Sequence, residues 1–447
     1  MILLYFIFKG GGRKVSRVNE ILEEKLMPVA SRVGNNKFLI AIRDGITLAM
    51  PLIIIGSLFM IIASFPIASW EAWLGEMGIA DYLWKGTDSS FGLIGLVASF
   101  GIAYSLARQY KVDGIGAGII SLSAFIMATP FISSDAGAGM PVAYMGAKGL
   151  FIAIIMGLIN GYIYQWFINK NIQIRLPESV PQAVSRSFSA IIPGAVIITM
   201  WLAIYGILSS LDLPNVHDIA QVILGKPLGL LGNNVFGTII VVGLNSLFWF
   251  VGIHGGNVVN SVMQPVWIAN LDANRLAYQA NEELQHIITV SFMDNFVYIG
   301  GGGATIGLVL VLGYLARKKH TSKQTKALAP ITVTPGLFNI NEPTMFGVPV
   351  VLNVMLIVPF ILAPIVNVIV AYSALAMGLV PLTKAAASWT MPPIISGFLI
   401  TGSISGSILQ IVLIILDILL YLPFVLAIEK RYKALEQNDG SSEKNVS

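Results

Sequence analysis

Residues 188–210 read F-S-A-I-I-P-G-A-V-I-I-T-M-W-L-A-I-Y-G-I-L-S-S and contain no charged side chain. A helix needs about 20 predominantly apolar residues to cross the hydrocarbon core of a bilayer, and this stretch is long enough. Lipid offers the backbone no hydrogen bonds, so a segment of this kind crosses as a helix that satisfies its own backbone groups. The stretch therefore predicts a transmembrane helix.

The composition of the whole chain agrees with that prediction. The 447 residues are 55% hydrophobic and 11% charged, with a mean hydropathy of +0.78. A soluble domain carries about 25% charged residues, so this chain has too little charge to cover a water-facing surface of its size. The composition excludes a soluble enzyme and predicts a bundle of membrane helices.

Similar apolar segments recur along the chain, and they set the predicted fold class. They occupy residues 38–65, 91–107, 114–131, 144–167, 233–253, 287–316, 346–380 and 390–427. The last two are long enough to break or fold back. The prediction is an all-α polytopic membrane protein with about ten transmembrane helices, re-entrant segments and interfacial amphipathic helices. Residues 270–286 are too polar for lipid and are expected at or outside the interface.

Basic residues indicate how the bundle is oriented. Lys and Arg concentrate before residue 44 and at 108–111, 170–186, 317–326 and 430–444. This alternation predicts a bacterial inner-membrane protein with both termini in the cytoplasm. Because the basic residues lie between apolar segments, the net charge of +4 does not indicate nucleic-acid binding. Simple counting of spans places the basic cluster at 317–326 on the side of the membrane opposite to the other basic segments. A broken or re-entrant element is therefore expected between 233 and 316.

The ends of the chain and its halves differ in character. Residues 1–8 are apolar but lack the features of a cleavable signal peptide, and 14–33 shows the helical spacing of a cytoplasmic surface helix. The expected organisation comprises four parts. They are a leader with surface helix at 1–37, a transmembrane scaffold at 38–212, a substrate-binding half at 213–428 and a cytoplasmic tail at 429–447. Cysteine is absent, which excludes disulfides, thiolate metal sites and a cysteine nucleophile, and no cofactor is expected.

The first candidate site segment is F-W-F-V-G-I-H-G-G-N at 248–257. His254 is the one histidine of four with apolar flanks, and an imidazole can exchange a proton near neutral pH. Gly255 lets the backbone approach a ligand, and Asn257 adds a polar contact. The alternative is a histidine that is hydrogen-bonded between packed helices.

The second candidate segment is F-N-I-N-E-P-T-M-F-G at 338–347. Pro330 and Pro335 are expected to disrupt any helix before it, and Asn341 is a favourable N-cap residue. The pattern predicts a half-helix that starts inside the membrane with the Glu342 carboxylate at its positive end, where transporters place their binding sites. Alternatively, Glu342 only caps a helix at the interface.

The third candidate segment, S-F-M-D-N-F-V-Y-I-G-G-G-G-A-T at 291–305, contains Asp294 and Asn295 as possible polar contacts. Its glycine run lacks the Lys and Ser/Thr of a phosphate loop and favours close helix packing. Trp249 and Trp389 offer flat faces that suit the C–H surface of a sugar, although tryptophans also anchor helices at the interface.

The H-G-G element at 254–256 and the N-E-P-T-M-F-G element at 341–347 carry a resemblance to a known family. From about residue 25 to 430 the chain resembles the enzyme IIC components of the phosphoenolpyruvate-dependent phosphotransferase system, in the lactose/cellobiose/diacetylchitobiose family. The resemblance implies a homodimer of ten-span subunits. It also implies an N-terminal half that forms the dimer contact and a C-terminal half, with two re-entrant hairpins, that holds the sugar.

The resemblance also implies a reaction. His254 and Glu342 would flank a sugar hydroxyl that attacks a phosphocysteine on a IIB protein, which is charged in turn by a phosphohistidine on IIA. Without cysteine, and with few residues after 428, a fused IIB domain is not expected, so IIB would be a separate polypeptide. Lactose carriers often have that fused domain, which favours a β-linked disaccharide of glucose or N-acetylglucosamine.

A rigid-body shift of the sugar-holding part would carry the sugar inward, where either Glu342 or His254 takes the proton. The basic segments at 317–326, 108–111 and 170–186 are candidate docking surfaces for IIB. The main alternative is an ion-coupled secondary transporter that uses Glu342 or Asp294 without any chemistry. A lipid-processing enzyme is disfavoured because no metal-ligand cluster or nucleophile pair is visible, and a channel because no filter motif is present.

Overall fold

The computed structural model describes residues 27–134, 137–348, 350–353 and 355–444, which are mostly helical. The leader and most of the surface helix expected at 14–33 lie outside these residues. The α-helices are α1 Met27–Gly34, α2 Lys37–Thr47, α3 Met50–Ala63, α4 Ala68–Glu76, α5 Ala80–Phe91, α6 Ile94–Gln109, α7 Gly114–Ala128, α8 Val142–Met145, α9 Leu150–Asn169, α10 Gln182–Ser189, α11 Ile191–Ser210, α12 Val216–Ala220, α13 Lys226–Gly232, α14 Val235–Phe250, α15 Gly255–Gln279, α16 Val290–Phe292, α17 Ile306–Ala316, α18 Lys323–Leu337, α19 Glu342–Gly347, α20 Ile357–Ala376, α21 Ile395–Thr401 and α22 Ile404–Lys444. Strands β1 Ile132–Ser134 and β2 Gly137–Gly139 form one short antiparallel pair.

Several of these helices are long and apolar enough to cross a membrane. The six candidate spans are Lys37–Ala63, Ala80–Gln109, Ala147–Asn169, Gln182–Ser210, Ile357–Ala376 and Ile404–Gln437. A seventh is formed if the pair Val216–Gly232 and Val235–Phe250, bent by 85°, counts as one span. Gly114–Ala128 and Ile306–Ala316 are apolar but shorter. A mostly helical membrane protein is therefore confirmed.

The N-terminal half is held together by close helix contacts and a buried polar network. Helix α6 packs on α2, α7 and α9. A Cβ on Gly45 of α2 would lie 2.4 Å from the backbone nitrogen of Ile102, so only glycine permits this approach. Asn160 donates to Ser121 Oγ (3.1 Å) and accepts from Trp201 Nε1 (2.7 Å). These bonds join α7, α9 and α11.

The segment 270–286, expected at or outside the interface, is helical over much of its length. Helix α15 continues to Gln279, and its polar residues are buried against other helices. Arg275 donates to Asp272 and to Asp88 of α5, each at 2.8 Å. The side chains of Arg275 and Asp272 are 3% and 7% exposed. Pairing with these carboxylates is how the buried guanidinium of Arg275 is accommodated inside the protein.

The second half is interrupted, as its sequence indicated. Residues 290–305 comprise short helical turns and a glycine run in which Gly300, Gly301 and Gly303 have positive φ. The expectation that Pro330 and Pro335 disrupt the preceding helix is wrong, because both lie inside α18. Helix α18 ends at Leu337, two residues after Pro335. Neighbouring elements compensate for the hydrogen bonds that proline removes from such helices.

Candidate functional site

The three candidate segments meet around one cavity of about 430 Å³. The walls come from α2, the end of α14, the start of α15, residues 290–302, residues 339–342 and Trp389. Seven residues proposed from the sequence line it: His254, Glu342, Asn341, Trp249, Trp389, Asn257 and Asp294. The structure thus brings together side chains that are up to 140 positions apart along the chain.

His254 stands at the N-terminus of α15 and caps it. Its Nδ1 accepts a hydrogen bond from the backbone nitrogen of Asn257 at 3.1 Å. An acceptor nitrogen carries no proton in the neutral ring, so this bond assigns the proton to Nε2. The Nε2 atom faces Glu342 and lies 3.7 Å from Oε1 of that carboxylate. The imidazole therefore presents a donor to the centre of the cavity.

Glu342 is the first residue of α19. Its carboxylate lies at the positive end of that short helix, and the side chain is 47% exposed to the cavity. The predicted start of the helix is confirmed, but the predicted capping by Asn341 is wrong. The side chain of Asn341 makes no capping bond and instead donates to the carbonyl of Gly302 at 2.8 Å. That bond anchors the start of α19 to the glycine run.

Because the glycine run has no Cβ atoms, side chains that line the cavity can pack directly against its backbone. A Cβ on Gly302 would lie 2.4 Å from Trp249 Nε1, and one on Gly301 would lie 2.7 Å from the Asn341 side chain. Trp249 is buried, and its ring centroid is 4.1 Å from that of His254. The run therefore fixes Trp249, and through it the imidazole.

Asn339 joins three segments that are far apart in the sequence. Its Oδ1 accepts from the backbone nitrogen of Gly300 (2.7 Å), and its Nδ2 donates to the carbonyls of Trp389 (2.6 Å) and Met391 (3.1 Å). Asn339 adopts a φ of 60°, which asparagine tolerates better than most residues. This hub positions Trp389, whose side chain is 45% exposed.

Two proposed contacts lie away from the cavity. Gly255 packs on α14, where an added Cβ would approach the carbonyl of Asn245 to 2.1 Å, so it serves helix packing. Its neighbour Gly256 lines the cavity instead. Asn295 is buried at 2% exposure and donates to the carbonyl of Ser291 at 3.2 Å.

Several lining residues were not identified from the sequence. Arg43, Asp44 and Thr47 lie on α2 in the half that was assigned to scaffold, and Asn260 and Gln264 lie on α15. Arg43 Nη2 is 2.6 Å from Asp44 Oδ1. The sequence does contain an indication of the role of Arg43 and Asp44, because these two charged residues interrupt the apolar segment at 38–65. Within the described residues no group of three or more His, Cys, Asp or Glu side chains could hold a metal ion.

Comparisons with known proteins identify the family. The family model described as "Phosphotransferase system, EIIC" matches residues 43–364. The chain belongs to the EIIC family of the phosphotransferase system. This membership confirms the resemblance that the H-G-G and N-E-P elements indicated. The chain is thus the sugar-translocating membrane component of such a system.

Individual EIIC relatives resemble the chain over almost its full length. It is 44% identical to the lichenan permease IIC component of Bacillus subtilis, over 95% of this chain and 96% of that protein. It is 45% identical to the cellobiose-specific EIIC component of Geobacillus stearothermophilus, over 95% and 97%. The crystal structure of ChbC, the IIC component of an N,N'-diacetylchitobiose-specific system, superposes with a TM-score of 0.87 at 39% identity. That match covers 93% of this chain and 99% of that one.

Proposed function

We propose that this EIIC protein imports a β-linked disaccharide of the cellobiose or diacetylchitobiose type and presents it to the phosphocysteine of a IIB protein. The names of the similar proteins support this substrate class. The cavity volume of about 430 Å³ lies within the range of about 300–1,000 Å³ that is typical of small-molecule sites. Its polar side chains and three tryptophans suit a carbohydrate, which presents hydroxyl groups and an apolar C–H face.

The proposed architecture has ten spans per subunit. This number results if the six candidate spans, the bent pair, the two shorter apolar helices and α15 all cross the membrane. Two re-entrant hairpins are proposed, one of which includes the break at 290–305, and both termini are proposed to face the cytoplasm. Residues 38–212 form the scaffold and homodimer contact, and 213–428 hold the sugar.

We infer different roles for the two central side chains. With Nδ1 occupied by the α15 cap, neutral His254 has no free lone pair towards the cavity and acts as a donor from Nε2. Glu342 is then the acceptor for the proton of the sugar hydroxyl. As that oxygen bonds to phosphorus, the P–S bond of the phosphocysteine breaks and the thiolate leaves. The imidazole N–H steadies the negative charge on the reacting oxygens, since phosphoryl transfer depends mainly on positioning and electrostatics.

Arg43 completes this electrostatic arrangement. It is the only Lys or Arg among the described residues that line the cavity. Its guanidinium pairs with Asp44. A neutral sugar does not require a guanidinium, whereas an incoming phosphoryl group does, because Arg forms strong bidentate bonds to phosphate oxygens. We therefore assign Arg43 to the transfer step and not to sugar binding.

A vesicle experiment tests the function. Vesicles containing the chain are supplied with phosphoenolpyruvate, the general components of the system, IIA, IIB and a panel of labelled disaccharides. The account predicts that cellobiose or diacetylchitobiose accumulates as its phosphate only when IIB is present. Accumulation of unmodified sugar, driven by a proton or sodium gradient without the phosphorelay, would support the ion-coupled alternative instead.

A further inference from the structure

A second cavity, of about 740 Å³, lies in the N-terminal half where four helix ends meet. Helices α6 and α9 end there at Gln109 and Asn169, and helices α7 and α10 begin there at Gly114 and Gln182. None of its lining residues lines the sugar cavity. Because three candidate spans begin or end at this point, we expect the cavity at one boundary of the membrane. We call it the basic cavity.

The basic cavity carries an excess of positive charge. Arg108, Lys111 and Arg186 line it and are exposed. Within the described ranges, none of these three has a carboxylate within ion-pair distance. The single carboxylate in the lining is Asp113, which accepts from the backbone nitrogen of Gly116 as the cap of α7. The lining therefore keeps a net charge of about two positive units for a ligand.

The floor of the basic cavity holds a second feature that points to a ligand. Tyr164 lines the cavity and is 0% exposed, and its hydroxyl has no hydrogen-bond partner among the residues that the structure describes. Buried hydroxyl groups are nearly always hydrogen-bonded, because an unmet donor or acceptor is costly. An oxygen-rich group bound between the basic side chains would satisfy it.

Apolar side chains continue from the polar part of this cavity towards the bilayer. Ile115 lines the cavity and is 57% exposed, and Ile119, one turn further along α7, is 55% exposed. On the amphipathic helix α10, Phe188 is 41% exposed. A free phosphate ion would use only the charged part. A phospholipid would also cover the isoleucine face with an acyl chain.

We propose that the basic cavity binds the headgroup of an anionic phospholipid, with one acyl chain along Ile115 and Ile119. Basic pockets between membrane helices on the cytoplasmic side are suited to such headgroups. The proposal is independent of the sugar chemistry, because the two cavities share no residue. An acidic surface of a partner protein could also meet these charges, but it would leave the exposed isoleucines and the buried hydroxyl unused.

Lipid binding to the purified full-length chain tests the proposal. Binding is measured by native mass spectrometry with dioleoyl phosphatidylglycerol, with dioleoyl phosphatidylcholine, and with inorganic phosphate as competitor. The account predicts selective retention of phosphatidylglycerol that millimolar phosphate does not displace. The test variant combines Arg108→Gln, Lys111→Gln and Arg186→Gln. Since each basic side chain near an anionic headgroup contributes about fivefold, the variant should bind phosphatidylglycerol on the order of 100-fold more weakly.

A matched control removes the same charge elsewhere. It combines Arg317→Gln, Lys318→Gln and Lys319→Gln, in the other basic connection. Equal losses in both triple variants would mean nonspecific surface charge and would overturn the proposal. Displacement by inorganic phosphate would indicate a free-anion site. Unchanged lipid binding together with lost IIB association would indicate protein docking.

A conservative variant keeps the proposal testable if the triple variant does not fold. Tyr164→Phe removes only the buried hydroxyl and should weaken phosphatidylglycerol binding several-fold, while sugar binding stays as in the wild type. Wild-type lipid affinity in Tyr164→Phe would contradict the assignment of that hydroxyl to the site. Equilibrium sugar binding serves as the folding control for every variant.

Discussion

Two substitutions of His254 separate its two nitrogen atoms. The side-chain oxygen of asparagine can take the place of Nδ1 and keep the cap on α15, but asparagine is too short to reach Glu342. Glutamine can place an N–H near the position of Nε2, but it loses the short bond to the Asn257 nitrogen, which is 3.1 Å long in the wild type. Comparing the two variants therefore tests whether phosphoryl transfer depends on the Nε2 donor or on the helix cap.

The two variants should behave in opposite ways. His254→Asn should retain stability but lose about 10²–10³ in transfer rate, which is the cost of removing one positioned donor to developing charge. His254→Gln should keep the rate within about tenfold, and its free energy of unfolding should fall by about 1 kcal/mol, the usual cost of a lost N-cap. Single-turnover transfer from phosphorylated IIB and thermal unfolding in detergent measure the two quantities. A fast Asn variant with a slow Gln variant would refute the assignment of the donor to Nε2.

Three further predictions concern packing, charge and transfer. The substitution Arg275→Gln leaves the buried carboxylate of Asp272 unpaired and should reduce the free energy of unfolding by about 3–5 kcal/mol. Thermal unfolding should show a lower midpoint. An unchanged midpoint would show that these charged side chains are solvated. The substitution Gly255→Ala should lower expression and stability, because the added Cβ would approach a backbone carbonyl to 2.1 Å. The substitution Gly256→Ala should be tolerated, because the nearest contact of its Cβ would be 3.2 Å. Equal effects of the two substitutions would contradict this geometry. Arg43→Gln should bind disaccharide as the wild type does but lose about 10²-fold or more in phosphoryl transfer, and a matching loss of sugar affinity would place Arg43 in sugar binding instead.

The sequence located the central pair because each member lies in an unusual context. His254 follows an apolar run, and Glu342 follows a segment rich in proline and glycine. Such placements are costly in a membrane unless the residue has a role. Only the family resemblance predicted that His254 and Glu342 lie close together, because no periodicity in the sequence links positions this far apart.

Other parts of the site depend on tertiary contacts that a linear reading misses. Arg43 was interpreted as part of the topology signal, although it lines the cavity. Residues 270–286 were expected at or outside the interface because their side chains are polar, but the linear sequence does not indicate that Asp88, from a distant helix, pairs with Arg275 of that segment. Asn339 joins partners 39 to 52 positions away, and nothing in its immediate sequence indicates them.

The most direct test of the account is the substitution Glu342→Gln, measured in two ways on the same preparation. Glutamine keeps the size of the side chain and can still bond to sugar hydroxyls, but it cannot accept the proton. The account predicts disaccharide affinity within about tenfold of wild type and a loss of about 10²–10⁴-fold in single-turnover transfer from phosphorylated IIB, the range expected for a positioned general base. Wild-type transfer in the Glu342→Gln variant would contradict the assignment of Glu342 as the base.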